Sequence, residues 1–168
     1  MDNEIIDRVA EELGDLLAGV NHVVSIDLVA VTDRTGETPE ALAALLYRAG
    51  GIALHVAAAR RVDEPWRERL HALVAGLIPT TESWSVQQPA RIELSADEII
   101  RVTTLTNDLA DAIETRLGLI SYAWQMSSHG GDYREVADDV LFSYDIVWHD
   151  LLLVGDARAG LLHTGLSD

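Results

Sequence analysis

The longest stretch of helical periodicity in the sequence, residues 96–117, limits the folds that this chain can adopt. Its apolar residues return every three or four positions, as on one face of a helix, and they are Ile99, Val102, Leu105, Leu109, Ala112 and Ile113. Ser95 and Glu98 stand at the spacing of a capping box just before this run. The pattern predicts a long amphipathic helix whose apolar face must be covered by a second layer.

Further helices are predicted on both sides of this one. The first runs from Asp2 or Asn3 to about Gly19, with Ile5, Ile6, Val9, Leu13, Leu16 and Leu17 facing inward. The others span residues 38–48, 63–78 and 133–141. Asp63 is expected to cap the helix at 63–78, with Pro65 inside its first turn. Residues 52–62 fit helix or strand, and their alanines favour helix.

Period-two alternation predicts strands at residues 22–32, 119–126, 145–154 and 161–165, with shorter strands at 84–86 and 91–94. Gly155 and Gly160 bracket the turn of a C-terminal β-hairpin. The expected fold is α+β, a small antiparallel sheet packed with about four to five helices. A mainly α bundle with a terminal hairpin is the alternative. With 168 residues, we expect residues 1–168 to form a single compact acidic domain.

Charge and missing residue types exclude several kinds of chemistry. The chain has 28 acidic and 12 basic residues, for a net charge of −16, and every basic residue is arginine. Without lysine there is no Schiff-base or P-loop lysine, and without cysteine there is no disulfide, thiolate zinc site or cysteine nucleophile. Negative charge repels phosphate backbones, so we expect no nucleic-acid partner.

The location of the protein is expected to be cytoplasmic. The N-terminus is acidic where a signal peptide would be basic. No apolar run approaches the roughly 18–20 residues that span a bilayer, so no membrane association is expected.

No catalytic motif stands out, and no catalytic residue is assigned. Six histidines are present, and none lies at helical spacing from another. Asp145 is the best local partner of His149, whereas the neighbouring Asp150 would point to the opposite side of a strand. A structural role is therefore favoured for the histidines.

Two clusters of carboxylates raise a possible metal site. Glu11, Glu12 and Asp15 lie within one helical turn, as do Glu135, Asp138 and Asp139. Each contains an E-x-x-D pair, and two such helices bind Mg²⁺ through carboxylate oxygens when they face each other. These segments resemble the E-x-x-D helices of MazG-type nucleotide pyrophosphohydrolases. The resemblance implies an all-helical fold, Mg²⁺ as cofactor, and hydrolysis of nucleoside triphosphates to monophosphates.

Three functions remain open from the sequence. The favoured one is an acidic protein-binding module, such as an immunity- or antitoxin-type inhibitor that masks a basic partner surface; it needs no cofactor. The second is the Mg²⁺-dependent pyrophosphohydrolase. The third is a non-catalytic accessory or oligomeric domain, in which the less acidic segment 41–90 would form homo-oligomer contacts.

Overall fold

The protein's computed structural model describes residues 2–18, 23–33, 36–52, 56–77, 94–128 and 147–167. Along these residues run α1 (Asp2–Leu17), β1 (Val23–Thr32), α2 (Pro39–Ala49), β2 (Val56–Arg61), α3 (Trp66–Gly76), α4 (Ala96–Leu117), β3 (Ile120–Ser128), β4 (Val147–Gly155) and β5 (Ala159–Ser167). The strands form one antiparallel sheet in the order β1-β5-β4-β3-β2. The α+β prediction with a C-terminal hairpin, β4 and β5, is confirmed. The mainly helical alternative, and the all-helical fold that the MazG resemblance implies, are wrong.

Helices cover both faces of the sheet. Leu151, Leu153 and Leu162 pack into the cluster built with α1, α3 and α4. Leu152 and Leu161, their neighbours in the same strands, pack into the cluster on the opposite face, where α2 lies. Because successive strand residues point to opposite faces, the leucine-rich run of β4 is buried from both sides.

The long helix α4 begins and ends at its sequence signals. Ser95 Oγ accepts a hydrogen bond from Glu98 N at 3.3 Å, and Glu98 Oε2 accepts one from Ser95 N at 2.7 Å. These hydrogen bonds hold the pKa of Glu98 below its usual value. Gly118 ends the helix with a φ of 84°, a left-handed conformation that favours glycine. The predicted capping box is confirmed.

The helix favoured for residues 52–62 is wrong for Val56–Arg61, which forms β2. This strand pairs with β3, placing Ala59 opposite Met126 and Arg61 opposite Trp124. The helix preference of alanine is small, under about 1 kcal/mol per residue. Hydrogen bonding to the edge of a preformed sheet therefore outweighs it.

Two predicted boundaries also differ. Helix α3 starts at Trp66 with Pro65 at the N-cap position and no side-chain cap, so Asp63 does not cap it and Pro65 precedes its first turn. Strand β5 starts at Ala159, so Gly160 lies in the strand rather than in the turn. The connection before α3 is therefore longer than predicted, and the turn between β4 and β5 is shorter.

Some predictions fall on residues that are not described. These are the strand at 84–86, the strand at 91–94 apart from Leu94, and the helix at 133–141. Across the described ranges, no helix combines the length and the apolar character that crossing a membrane requires.

Candidate functional site

The outer faces of α1 and α4 concentrate the negative charge of the chain. The two helices contain eleven acidic residues and three arginines, an excess equal to half of the net charge of −16. Glu12 contacts Arg101, while Ile5 lies beside Ala112. The helices therefore run in opposite directions and present one shared surface.

Few of these carboxylates have a cationic partner. Arg101 pairs with Glu12, and Arg67 pairs with Asp111 at 2.7 Å and with Glu114 at 2.5 Å. The hydrogen bond that Arg67 donates to Glu114 is the main reason that the pKa of Arg67 is raised. Within the described chain no arginine lies at ion-pair distance from six exposed carboxylates, namely Glu4, Asp7, Glu11, Asp15, Asp97 and Asp108.

Three exposed isoleucines lie among these charges. Ile5, Ile99 and Ile100 are 46%, 54% and 64% exposed, so the prediction that Ile5 and Ile99 face inward is wrong. Ile5 and Ile100 lie away from the buried faces of their helices, whereas Ile99 lies on the same side of α4 as the buried Val102 and Thr106 but nearer to the start of the helix, where it stays exposed. A depression of about 230 Å³ lies where the helices meet, lined by Ile5, Asp108, Asp111, Ala112 and Thr115. We call the six unpaired carboxylates and the three isoleucines the acidic α1–α4 surface.

Only one of the two carboxylate groups predicted to bind metal lies within the described residues. Glu11, Glu12 and Asp15 are exposed on α1, and Arg101 already binds Glu12. Their expected partners on the second helix, Glu135, Asp138 and Asp139, lie outside the described residues. The ranges that are described contain no group of three or more histidine, aspartate or glutamate side chains placed to hold a metal ion. The Mg²⁺ site stays a prediction from sequence.

A buried polar cluster that the sequence did not reveal lies between α2 and the sheet. The register of β4 and β5 places Asp150 opposite His163. His163 Nδ1 lies 2.7 Å from Asp150 Oδ1, and the Tyr47 hydroxyl donates to Asp150 Oδ2. The three side chains are at most 5% exposed. The cluster therefore joins α2 to the central hairpin and is closed to a substrate in this conformation.

His149 lies on the opposite face from Asp150, as the sequence predicts for neighbouring strand residues. Arg69 of α3 donates to Gln125 Oε1, and Gln125 Nε2 lies 3.3 Å from His149 Nδ1. An arginine only donates, so the amide nitrogen of Gln125 must face the imidazole and Nδ1 must accept. Burial lowers the pKa of His149, and Arg69 lowers it further, while Asp150 acts in the opposite direction.

Replacing Arg69 by glutamine is expected to raise the pKa of His149. In the wild type the His149 imidazole binds fewer protons in the folded protein than in the unfolded chain, where its pKa is about 6.5. Its contribution to stability is therefore complete above about pH 6.5 and is lost as the pH falls toward the folded pKa. Arg69→Gln should make this acid-side loss smaller, as measured by imidazole NMR titration and by urea unfolding at several pH values.

Arg67→Gln is the matched control for this experiment. Arg67 is on the same helix but binds Glu114 and Asp111 rather than Gln125. It should leave the pKa of His149 where it is in the wild type. An equal change in both variants would show that the Arg69–Gln125 contact does not control the imidazole.

Comparison with protein-family models, curated proteins and solved structures gave no match to this chain. The chemistry of the chain's own surfaces is therefore what indicates its function.

Proposed function

We propose that this protein is an acidic protein-binding module that masks a basic surface on a partner, as immunity proteins and antitoxins do. The supporting observation is the acidic α1–α4 surface, where unpaired carboxylates surround exposed isoleucines. Such a surface fits a partner segment that carries both arginine or lysine and apolar side chains. It requires no catalytic group or cofactor.

The two kinds of side chain would contribute differently to binding. Unpaired surface carboxylates attract a basic partner and speed its association, an effect that salt weakens. Burying an exposed isoleucine is worth about 1.5–3 kcal/mol, which slows dissociation. Ile99 and Ile100 begin α4 and Ile5 lies beside its second half. The partner segment would therefore extend along the helix pair rather than dock at one point.

The same charges disfavour other occupants. A second copy of the chain would bring its own net charge of −16 against this surface, and like charges repel. A nucleic-acid backbone is excluded from it for the same reason. A basic protein segment is the occupant that the electrostatics select.

Neutralising Asp7, Glu11 and Asp108 together is expected to weaken binding of a basic amphipathic peptide about tenfold. Each rim charge contributes roughly 0.2–1 kcal/mol, and about 1.4 kcal/mol corresponds to tenfold in affinity. The probe is a labelled 18-residue helical peptide with arginines on one face and leucines on the other. Fluorescence anisotropy at two salt concentrations would measure the affinity of the wild type and of the variant with Asp7→Asn, Glu11→Gln and Asp108→Asn.

A control variant that loses three carboxylates elsewhere tests whether the peptide binds the acidic α1–α4 surface or is attracted by the net charge of the whole protein. Glu40, Glu68 and Asp33 are exposed and belong neither to α1 nor to α4, so neutralising all three should reduce affinity much less. Replacing Ile5, Ile99 and Ile100 by serine should weaken binding without changing its salt dependence. If both charge variants weaken binding equally, the acidic α1–α4 surface is not a binding site.

A further inference from the structure

A second candidate site lies at the opposite edge of the sheet, in a cavity of about 460 Å³ between β2, α3 and β3. Strand β2 pairs with β3 as far as Arg61, and Val62 N then donates to Ala123 O at 3.0 Å. Beyond this point β2 turns away toward α3. The cavity occupies the place beside Ile120–Tyr122 that a longer β2 would fill, and its volume lies within the range of about 300–1,000 Å³ that is usual for small-molecule pockets.

Three of the five charged groups in the wall of this cavity already have an ion-pair partner. Arg67 donates to Glu114, which also accepts a hydrogen bond from Trp66 Nε1 at 3.1 Å. Glu64 pairs with Arg69 at 3.5 Å. These contacts hold the start of α3 against α4 and leave few charges in the wall for a ligand.

Arg61 is different because no described carboxylate pairs with it. Its guanidinium carbon lies 5.0 Å from the centre of the Tyr122 ring, and Tyr122 is 47% exposed. Trp124 packs beside Tyr122, with ring centres 5.6 Å apart. The ring therefore holds the guanidinium at the cavity without neutralising it. A planar guanidinium binds a carboxylate through two parallel hydrogen bonds.

The other residues in the wall of the cavity determine which carboxylate ligand can bind. Asp63 and Glu64 border the cavity, and with the net charge of −16 they disfavour a ligand that carries several negative charges. The guanidinium of Arg61 covers one face of the Tyr122 ring, and the remaining surface of this half-exposed ring offers an apolar contact for another ring. A single carboxylate attached to a flat ring satisfies each of these conditions.

We propose that this cavity binds a small aromatic carboxylate, with its carboxylate on Arg61 and its ring against Tyr122. The site is separate from the acidic α1–α4 surface and does not depend on the proposed function. It gives the chain a small-molecule ligand in addition to a protein partner.

Titration with 2-naphthoate, followed by ¹H–¹⁵N NMR, tests this proposal. We expect saturable shifts at Arg61, at the start of α3 and at residues 120–123. Arg61→Gln should weaken binding about tenfold or more, because it removes a charge-assisted pair of hydrogen bonds. Arg60→Gln is the matched control, since Arg60 is exposed on the same strand but is not in the wall of the cavity. It should bind like the wild type.

Two related compounds separate the roles of charge and ring. 2-Naphthalenemethanol keeps the ring without the charge, and acetate keeps the charge without the ring; both should bind at least tenfold more weakly than 2-naphthoate. The proposal is overturned if either compound binds as well as 2-naphthoate, if Arg60→Gln and Arg61→Gln lose affinity equally, or if no saturable shift is seen.

Discussion

Replacing Asp150 by alanine should lower the free energy of unfolding by about 3–5 kcal/mol, because it removes the shared acceptor of two buried hydrogen bonds and each buried donor left unsatisfied costs about 1–3 kcal/mol. Asp150 is 1% exposed and accepts hydrogen bonds from Tyr47 and His163, which are 2% and 5% exposed. The truncation leaves both of these contacts unmade where water does not reach. It also removes buried volume at the junction of α2, β4 and β5.

Urea unfolding of four proteins would check this prediction. Asp33→Ala is the matched control, because Asp33 pairs with Arg158 at 2.9 Å but its side chain is 86% exposed. Surface pairs of this kind contribute at most about 1 kcal/mol. Tyr47→Phe removes one of the donors and should cost about 1–3 kcal/mol. A loss in Asp150→Ala no larger than that in Asp33→Ala would mean that the cluster does not stabilise the fold.

The helices that could be predicted are those whose signals are local. The capping box of Ser95 and Glu98 and the periodic apolar residues that follow belong to one segment, so they predict α4 without knowledge of its neighbours. The strand β2 depends instead on a partner that begins at Ile120. Its alanines contain no information about that partner, and the prediction of a helix failed for this reason.

The buried cluster could not be predicted because it depends on the register of the hairpin. The predicted turn, from Gly155 to Gly160, would place Asp150 opposite Gly165. In the structure Gly155 N donates to Arg158 O at 2.8 Å, and Asp150 faces His163 instead. A turn predicted two residues out of register therefore fails to place Asp150 opposite His163. Tyr47, which lies 103 residues away from Asp150 along the chain, has no sequence signal for it.

The negative charge of the acidic α1–α4 surface could be predicted from the sequence, but its exposed isoleucines could not. Composition shows that the chain is acidic, and the periodicity places Glu11 and Asp15 on the outer side of α1. It also assigned Ile5 and Ile99 to the core, because the sequence does not show where the buried face of a helix ends. The structure shows that both isoleucines are exposed.

A second large loss of stability is expected from Gly155→Ala, at about 3 kcal/mol, the upper part of the range for overpacking a buried site. A Cβ atom at this position would overlap the backbone carbonyl of Leu117. That carbonyl cannot move freely, because it accepts hydrogen bonds from Ala157 N at 3.3 Å and from Arg158 N at 3.0 Å. The end of α4 and the β4–β5 turn would have to separate.

Gly76→Ala provides the comparison, measured by the same urea unfolding experiment. Gly76 lies in α3, and a Cβ there would meet no atom within 4 Å. Alanine is favoured over glycine in helices by about 1 kcal/mol, so this variant should be as stable as the wild type or slightly more stable. If Gly155→Ala unfolds at the same urea concentration as Gly76→Ala, the contact between α4 and the hairpin turn adapts easily and does not fix their relative position. A large difference would instead identify the Leu117 carbonyl as the point that joins the acidic helix layer to the sheet.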